Sequence, residues 1–152
     1  MILRLTVEMN KSTLAHGDDD TKRWYLNGQL HREDGPAIEY PNGTKMWYIN
    51  DKRHREDGPA VEFANGNKFW YRHGIRHRED GPACFYQGIK FWYTGGLLHR
   101  EDGPADERDT GIVSWWINGL QMTKEEFIKK NEKKKFTASE IASLKSYGIE
   151  VD

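Results

Sequence analysis

Histidine, arginine and two carboxylates stand side by side four times in this chain: His31-Arg32-Glu33-Asp34, His54-Arg55-Glu56-Asp57, His77-Arg78-Glu79-Asp80 and His99-Arg100-Glu101-Asp102. An imidazole beside a carboxylate is the vocabulary of general acid–base catalysis. A guanidinium can clamp a phosphate or carboxylate through two parallel hydrogen bonds. His-x-Glu also sets two potential metal ligands on one face of a strand. Each of these chemistries needs further partners, and the sequence lacks them. Cys84 is the lone cysteine, so the paired-cysteine motif of zinc deaminases is missing. No Gly-rich phosphate loop or downstream Asp-Phe-Gly accompanies the run, as a kinase would require. Ser12, Ser114, Ser139, Ser143 and Ser146 lie outside the central repeats, and none occupies a Gly-x-Ser-x-Gly turn. Catalysis uses one unique constellation, whereas this chain offers copies. The sequence therefore predicts a non-enzyme, with no catalytic residue, metal site or cofactor.

Two readings of the copies remain. In one they form a ladder: Arg32 pairs with Asp57 or Glu56 of the next unit, and each Asp bonds the backbone of its own Gly-Pro turn. In the other, Arg32, Arg55, Arg78 and Arg100 with His31, His54, His77 and His99 form an exposed row that grips phosphates or an acidic partner surface. The acids beside each Arg weaken the second reading by neutralising the row.

The copies extend to a heptapeptide, His-Arg-Glu-Asp-Gly-Pro-Ala, unchanged at 31–37, 54–60, 77–83 and 99–105, with starts separated by 23, 23 and 22 residues. Trp24-Tyr25, Trp47-Tyr48, Trp70-Tyr71, Trp92-Tyr93 and Trp115-Trp116 keep the same beat. A fixed period of this size marks a repeat architecture, in which each unit buries its apolar face against its neighbours.

Turn chemistry supplies the elements. Asn42-Gly43 and Asn65-Gly66 lie between short alternating runs, a hairpin signal. Read as two-residue loops, they set Ile38 opposite Trp47 and Tyr40 opposite Lys45, then Val61 opposite Trp70 and Phe63 opposite Lys68. Ile38, Tyr40, Trp47 and Ile49 then share a core face, with Ala37, Glu39, Met46 and Tyr48 on the other. In the shorter third unit a three-residue loop, Gln87-Gly88-Ile89, keeps Cys84 opposite Trp92. Asp106, Glu107, Arg108 and Asp109 replace the apolar strand of the fourth, as expected of a solvent-facing terminal repeat. A second turn follows each aromatic strand, at Asn27-Gly28, Asn50-Asp51, His73-Gly74, Gly95-Gly96 and Asn118-Gly119. His-Arg-Glu-Asp then runs back as a short strand until Gly-Pro breaks it. The strand at 21–25 takes the 13–17 segment as its partner, with Leu3, Leu5 and Val7 in a further capping strand.

The tail changes period. Thr123-Lys124-Glu125-Glu126 is a capping box, with Met122 and Phe127 as the hydrophobic staple, and predicts a helix over about 124–134. Thr137-Ala138-Ser139-Glu140 opens a second helix that Gly148 stops. The pair would cover the open C-terminal edge of the sheet, with Lys129, Lys130 and Lys133 to Lys135 as a solvated face. The reading is a mainly β array of antiparallel hairpins, a twisted meander, with a short helical cap. Its parts are a lead-in at 1–21, repeats at 22–119 and a two-helix tail at 120–152.

Composition narrows the partners. Net charge is −1, from 23 basic and 24 acidic residues, which argues against a nucleic-acid reader. No apolar run approaches the ~20 residues of a membrane span. Nothing at the start resembles a signal peptide, and the expected location is the cytoplasm.

The pattern Trp-Tyr-x-Asn-Gly-x-x-His-Arg-x-Asp-Gly-Pro-Ala, followed by an apolar strand and Asn-Gly, resembles a repeat of bacteriophage and large-DNA-virus proteins. It is also similar to variant MORN repeats, which are short β-hairpin units. The resemblance covers 22–119, and Trp116-Ile117-Asn118-Gly119 with Thr123-Lys124-Glu125-Glu126-Phe127 resembles the usual ending of such arrays. It implies a β-repeat fold, a viral origin and a binding or scaffold role. The expectation is a phage-encoded protein that engages a host protein, such as a defence or regulatory factor. The alternatives are a sequestrant of a nucleotide or other phosphate ligand, and a structural protein that forms homo-oligomers. A second row, Tyr25, Tyr48, Tyr71, Tyr93 and Trp116, lies opposite the Trp row with Met46, Phe69 and Phe91 beside it: core if the sheet is two-layered, and an aromatic partner surface if that face meets water.

Overall fold

In the computed structural model, residues 11–131 and 136–151 are described. The expected capping strand of Leu3, Leu5 and Val7 lies outside them, as does the end of the expected 124–134 helix. The chain divides into two compact units, residues 1–75 and 76–152. Both are mainly antiparallel β-structure.

In the first unit the strands Thr13–His16, Lys22–Leu26, Ile38–Glu39, Lys45–Met46, Val61–Glu62 and Lys68–Phe69 lie side by side in that order. The 13–16 segment pairs with 22–25, as expected. Two smaller hairpins branch off: Gln29–Leu30 returns along Lys22–Leu26, and Tyr48–Ile49 pairs with Lys52–Arg53. Each repeat thus contributes one hairpin to the main sheet and one to the side. Trp47 is the corner between them. Its N–H donates to Ala60 O at 2.9 Å, and its carbonyl accepts from His54 N at 3.1 Å. Trp24 turns the same corner between Ala37 and His31.

The second unit repeats this plan and closes it. Cys84–Tyr86, Ile89–Phe91, Asp106–Glu107, Val113–Ile117 and Leu120–Met122 form the sheet, with Tyr93–Thr94 and Leu97–Leu98 as the side hairpin. Two helices follow, α1 (Lys124–Asn131) and α2 (Ala138–Ser146). Both expected capping boxes form. Thr123 N–H donates to Glu126 Oε2 at 2.8 Å while Thr123 Oγ1 accepts from Glu126 N at 3.1 Å, and Thr137 with Glu140 does the same for α2. Trp115, Ile117, Phe127, Leu144 and Ile149 make the buried cluster, with Met122 packed against it as the staple.

The hairpin register is one residue away from expectation in every unit. Ile38 faces Met46 and Glu39 faces Lys45; Val61 faces Phe69 and Glu62 faces Lys68. Each Asn-Gly belongs to a three-residue loop, in which Tyr40 N donates to Thr44 O and Gly43 N to Tyr40 O. The cause is local. Asn42 Oδ1 accepts from Thr44 N at 2.9 Å and Gly43 takes φ +88°, the signature of a type I turn closed by a glycine bulge. The third unit does the reverse. Cys84 faces Phe91, and Gln87-Gly88 is a two-residue loop with φ +47° and +80°. One loop residue fewer accounts for the shorter repeat.

The core follows from this register. Ala37 with Ile38, Ala60 with Val61 and Ala83 with Cys84 are buried as adjacent pairs. Neighbours along a strand point to opposite faces, so neither face of the sheet is bare at those positions. Trp47 is half-buried at its corner rather than central to a core face. The fourth repeat corrects another expectation: Asp106 is buried between Phe91 and Ser114 of the flanking strands, and Glu107 is half-buried where Tyr147, at the end of α2, donates to it. All five second turns form at the expected pairs, each with positive φ at both residues. The return strands, however, end before the histidines. His-Arg-Glu-Asp-Gly-Pro is a loop.

Candidate functional site

Each loop is built around its arginine. Arg32 Nε donates to Asp34 Oδ1 at 2.8 Å, and Nη1 donates to Pro36 O at 3.3 Å and Glu39 Oε1 at 3.5 Å. The guanidinium lies 4.0 Å from the Trp24 ring centre. Arg55 repeats the set with Asp57 at 2.9 Å, Pro59 O at 3.4 Å, Glu62 at 3.1 Å and the Trp47 ring at 4.1 Å. In the second unit Arg78 bonds Asp80 and Pro82 O. Arg100 bonds Asp102, Pro104 O and Glu107, over the Trp92 ring. The loop glycine makes room for this shelf. A Cβ on Gly35, Gly58 or Gly81 would stand 3.0 Å from the guanidinium carbon, and on Gly103 2.8 Å.

The arginines thus pair within their own loops, not with Asp57 or Glu56 of the next unit. The histidines join the repeats instead. His54 Nδ1 accepts from His73 N at 3.2 Å, His77 Nδ1 from Gly95 N at 3.2 Å and His99 Nδ1 from Asn118 N at 3.1 Å. His31 Nδ1 sits 2.8 Å from Asn50 Oδ1 and 3.4 Å from Asn50 N. Backbone bonds run alongside, from Arg32 N to Tyr48 O, Arg55 N to Tyr71 O, Arg78 N to Tyr93 O and Arg100 N to Trp116 O. At His31 the amide oxygen of Asn50 accepts from Nδ1–H; at His54, His77 and His99 the Nδ1 acceptor places the proton of a neutral imidazole on Nε2. That atom faces Glu33, Glu56, Glu79 or Glu101 at 3.3–3.8 Å. Burial and then the neighbouring His73 hold His54 below its usual pKa, with Glu56 acting the other way. The guanidinium bond likewise holds Asp34, Asp57 and Asp80 below the ordinary carboxylate range.

Exposure reverses the expected surface. The Arg32 and Arg55 side chains are 21% and 23% exposed, against 85% and 82% for Asp34 and Asp57. Glu33 and Glu56 are 83% exposed, over histidines at 8% and 13%. The groups that meet solvent are the carboxylates. The arginines and histidines nominated by sequence lie beneath them as struts and joints.

The tyrosine row is no bare stripe. Tyr25, Tyr48, Tyr71 and Tyr93 are half-buried in the side hairpins. Arg53 Nε donates to Tyr48 OH at 3.2 Å and its guanidinium stands over Tyr71, while Arg76 stands over Tyr93. Sequence reasoning missed Glu39, Glu62 and Glu107, although a glutamate seven residues after the loop arginine was a signal available in three copies. The third has Phe85 there, 38% exposed.

Grooves separate the loops. One of about 790 Å³ lies between the first two, lined by Trp47 and Ile49 with Glu33, Asp34, Glu56 and Asp57 on its rim. A second, of about 240 Å³, precedes the first loop beside Trp24, with Lys11 and Ser12 in its wall. In the second unit a groove of about 550 Å³ over Trp92 is bordered by Ser139 and Glu140 of α2. Among the described residues no group of three or more His, Cys, Asp or Glu side chains could hold a metal ion, and no helix is long and apolar enough to cross a membrane.

No known protein family matches the chain, and no curated protein matches it.

Proposed function

We propose that this chain is a non-enzymatic protein-binding module of viral type, phage-encoded, acting in the host cytoplasm on a host defence or regulatory protein. The observation that carries the binding role is the orientation of the repeated loops. Every arginine of the four copies is turned inward onto its own carboxylate, leaving acidic rims over indole-floored grooves. Such a surface offers electrostatic complementarity to a basic protein partner. The phage origin and host target rest on the sequence resemblance. A phosphate sequestrant has less support, because each guanidinium already donates through Nε and Nη1.

The experiment compares the tagged chain with its Glu33→Gln/Glu56→Gln/Glu79→Gln variant in bacterial extract. A partner retained by the parent and depleted at least about fivefold with the variant supports the acidic face. Equal retention moves the site elsewhere, and no specific partner removes the proposal. A nucleotide panel at saturation should leave the melting temperature unchanged; a reproducible rise would favour the sequestrant.

A further inference from the structure

We propose that the grooves of the first unit take an extended cationic peptide in polyproline II conformation, with a lysine or arginine at every third residue. This rests on the protein-binding reading above and names the chemistry of its partner.

The wide groove joins an apolar floor to an acidic rim. Trp47 and Ile49 form the floor, which suits the aliphatic stem of a long basic side chain. Four carboxylates line the groove against two guanidiniums, and the guanidiniums are committed inward. A cation arriving from solvent meets carboxylates first. Lys11 of the chain itself lies in the wall of the narrower groove together with Glu33 and Asp34.

The period selects the conformation. Each repeat adds two strands to the main sheet, so successive loops stand about 10 Å apart at the usual strand spacing. Polyproline II advances about 3.1 Å per residue with three residues per turn, which returns a side chain to the same face every ~9 Å. A β-strand alternates faces and offers no such three-residue comb. An α-helix is about 10–12 Å across with its side chains, too broad to lie between neighbouring loops. The chain's own α2 stays at the border of such a groove in the second unit, with Ser139 and Glu140 beside the loops of Arg78 and Arg100 and Ser143 on Arg100 itself.

The test measures fluorescence anisotropy of two labelled peptides on the full chain at about 50 mM salt, where screening is weak. One peptide is built of Pro-Pro-Lys triplets; the other has the same composition with its lysines contiguous. The comb should bind at least about fivefold tighter. Glu33→Gln with Glu56→Gln should weaken it about tenfold while leaving the melting temperature unchanged. Equal affinities, or an indifferent double variant, overturn the proposal. Should neither peptide bind while the extract partner is still lost with the Glu→Gln variant, this proposal falls and the binding module stands. Should the extract partner also ignore the variant, both fall.

Discussion

The fourth loop and the first two share every residue of their heptapeptide, yet they live in different surroundings. Asp102 is 32% exposed where Asp34 and Asp57 are 85% and 82%. The Arg–Glu contact closes from 3.5 Å and 3.1 Å at Arg32 and Arg55 to 2.5 Å at Arg100. The difference is α2. Ser143 Oγ accepts from Arg100 Nη2 at 3.0 Å, and Tyr147 OH donates to Glu107. Burial, followed by that bond to Glu107, raises the Tyr147 pKa. Trp115 makes the same point from the other side. Trp24 and Trp47 carry an arginine on the ring; Trp115 carries Phe127 at 4.7 Å and Tyr147 at 5.8 Å. The helical tail supplies what a fifth copy would have supplied. Identical loops are therefore a cap site at the end of the array and a solvent-facing surface in the first unit.

Removing the cap should make the fourth loop resemble the first two. Phe127→Ala, at a fully buried ring, should cost about 3–5 kcal/mol and raise amide exchange around Asp102 to the level seen at Asp34 and Asp57. Denaturation combined with exchange mass spectrometry checks it; an exchange pattern confined to α1 would break the comparison.

Closing the glycine gap tests both regions at once. Gly58→Ala and Gly103→Ala each push a methyl against a guanidinium, and overpacking of this kind costs about 1–3 kcal/mol. The Gly103 variant should suffer more, because its gap is tighter and α2 restrains the side chain. Denaturant midpoints in the reverse order would contradict the shelf.

Acid should act on the joints before the rims. The folded-state pKa of His54 is depressed, so its contribution is complete above the unfolded value of about 6.5 and is lost as pH falls through the folded value. Protonated Nδ1 can no longer accept from His73 N. Exchange of the His73 amide should therefore rise as pH drops below about 6.5, after correction for intrinsic rates. The Asp57 contribution, present above its unfolded value of about 3.9, is lost only as pH falls through its lower folded value. Simultaneous loss of both would merge joint and rim into one event.

A smaller effect is expected at Ser143→Ala, which removes one hydrogen bond worth about 1 kcal/mol. Its signature is a modest shift in midpoint with α2 still in place by circular dichroism.

The repeat period, the five positive-φ turns and both capping boxes were legible because each rests on local backbone chemistry. Register was not. The choice between two- and three-residue loops turned on the Asn42 side chain bonding back to Thr44, which Asn-Gly alone does not announce. The arginine partners were misread for a related reason. Asp34 is two residues from Arg32, and the bend at residues 33–35 sets the carboxylate against the guanidinium within the loop itself. The cover on the fourth loop depends on tertiary packing of α2, visible in sequence only as a helix.

The arginine of each loop is an internal strut, and the glutamate beside it belongs to the surface. Chemical denaturation of Arg55→Ala and Glu56→Gln in parallel tests this most directly. Arg55→Ala, which removes three charge-assisted bonds and an indole contact, should lose about 2–4 kcal/mol, and Glu56→Gln should change stability by no more than about 0.5 kcal/mol. A stable Arg55→Ala protein beside a destabilised Glu56→Gln protein would contradict it.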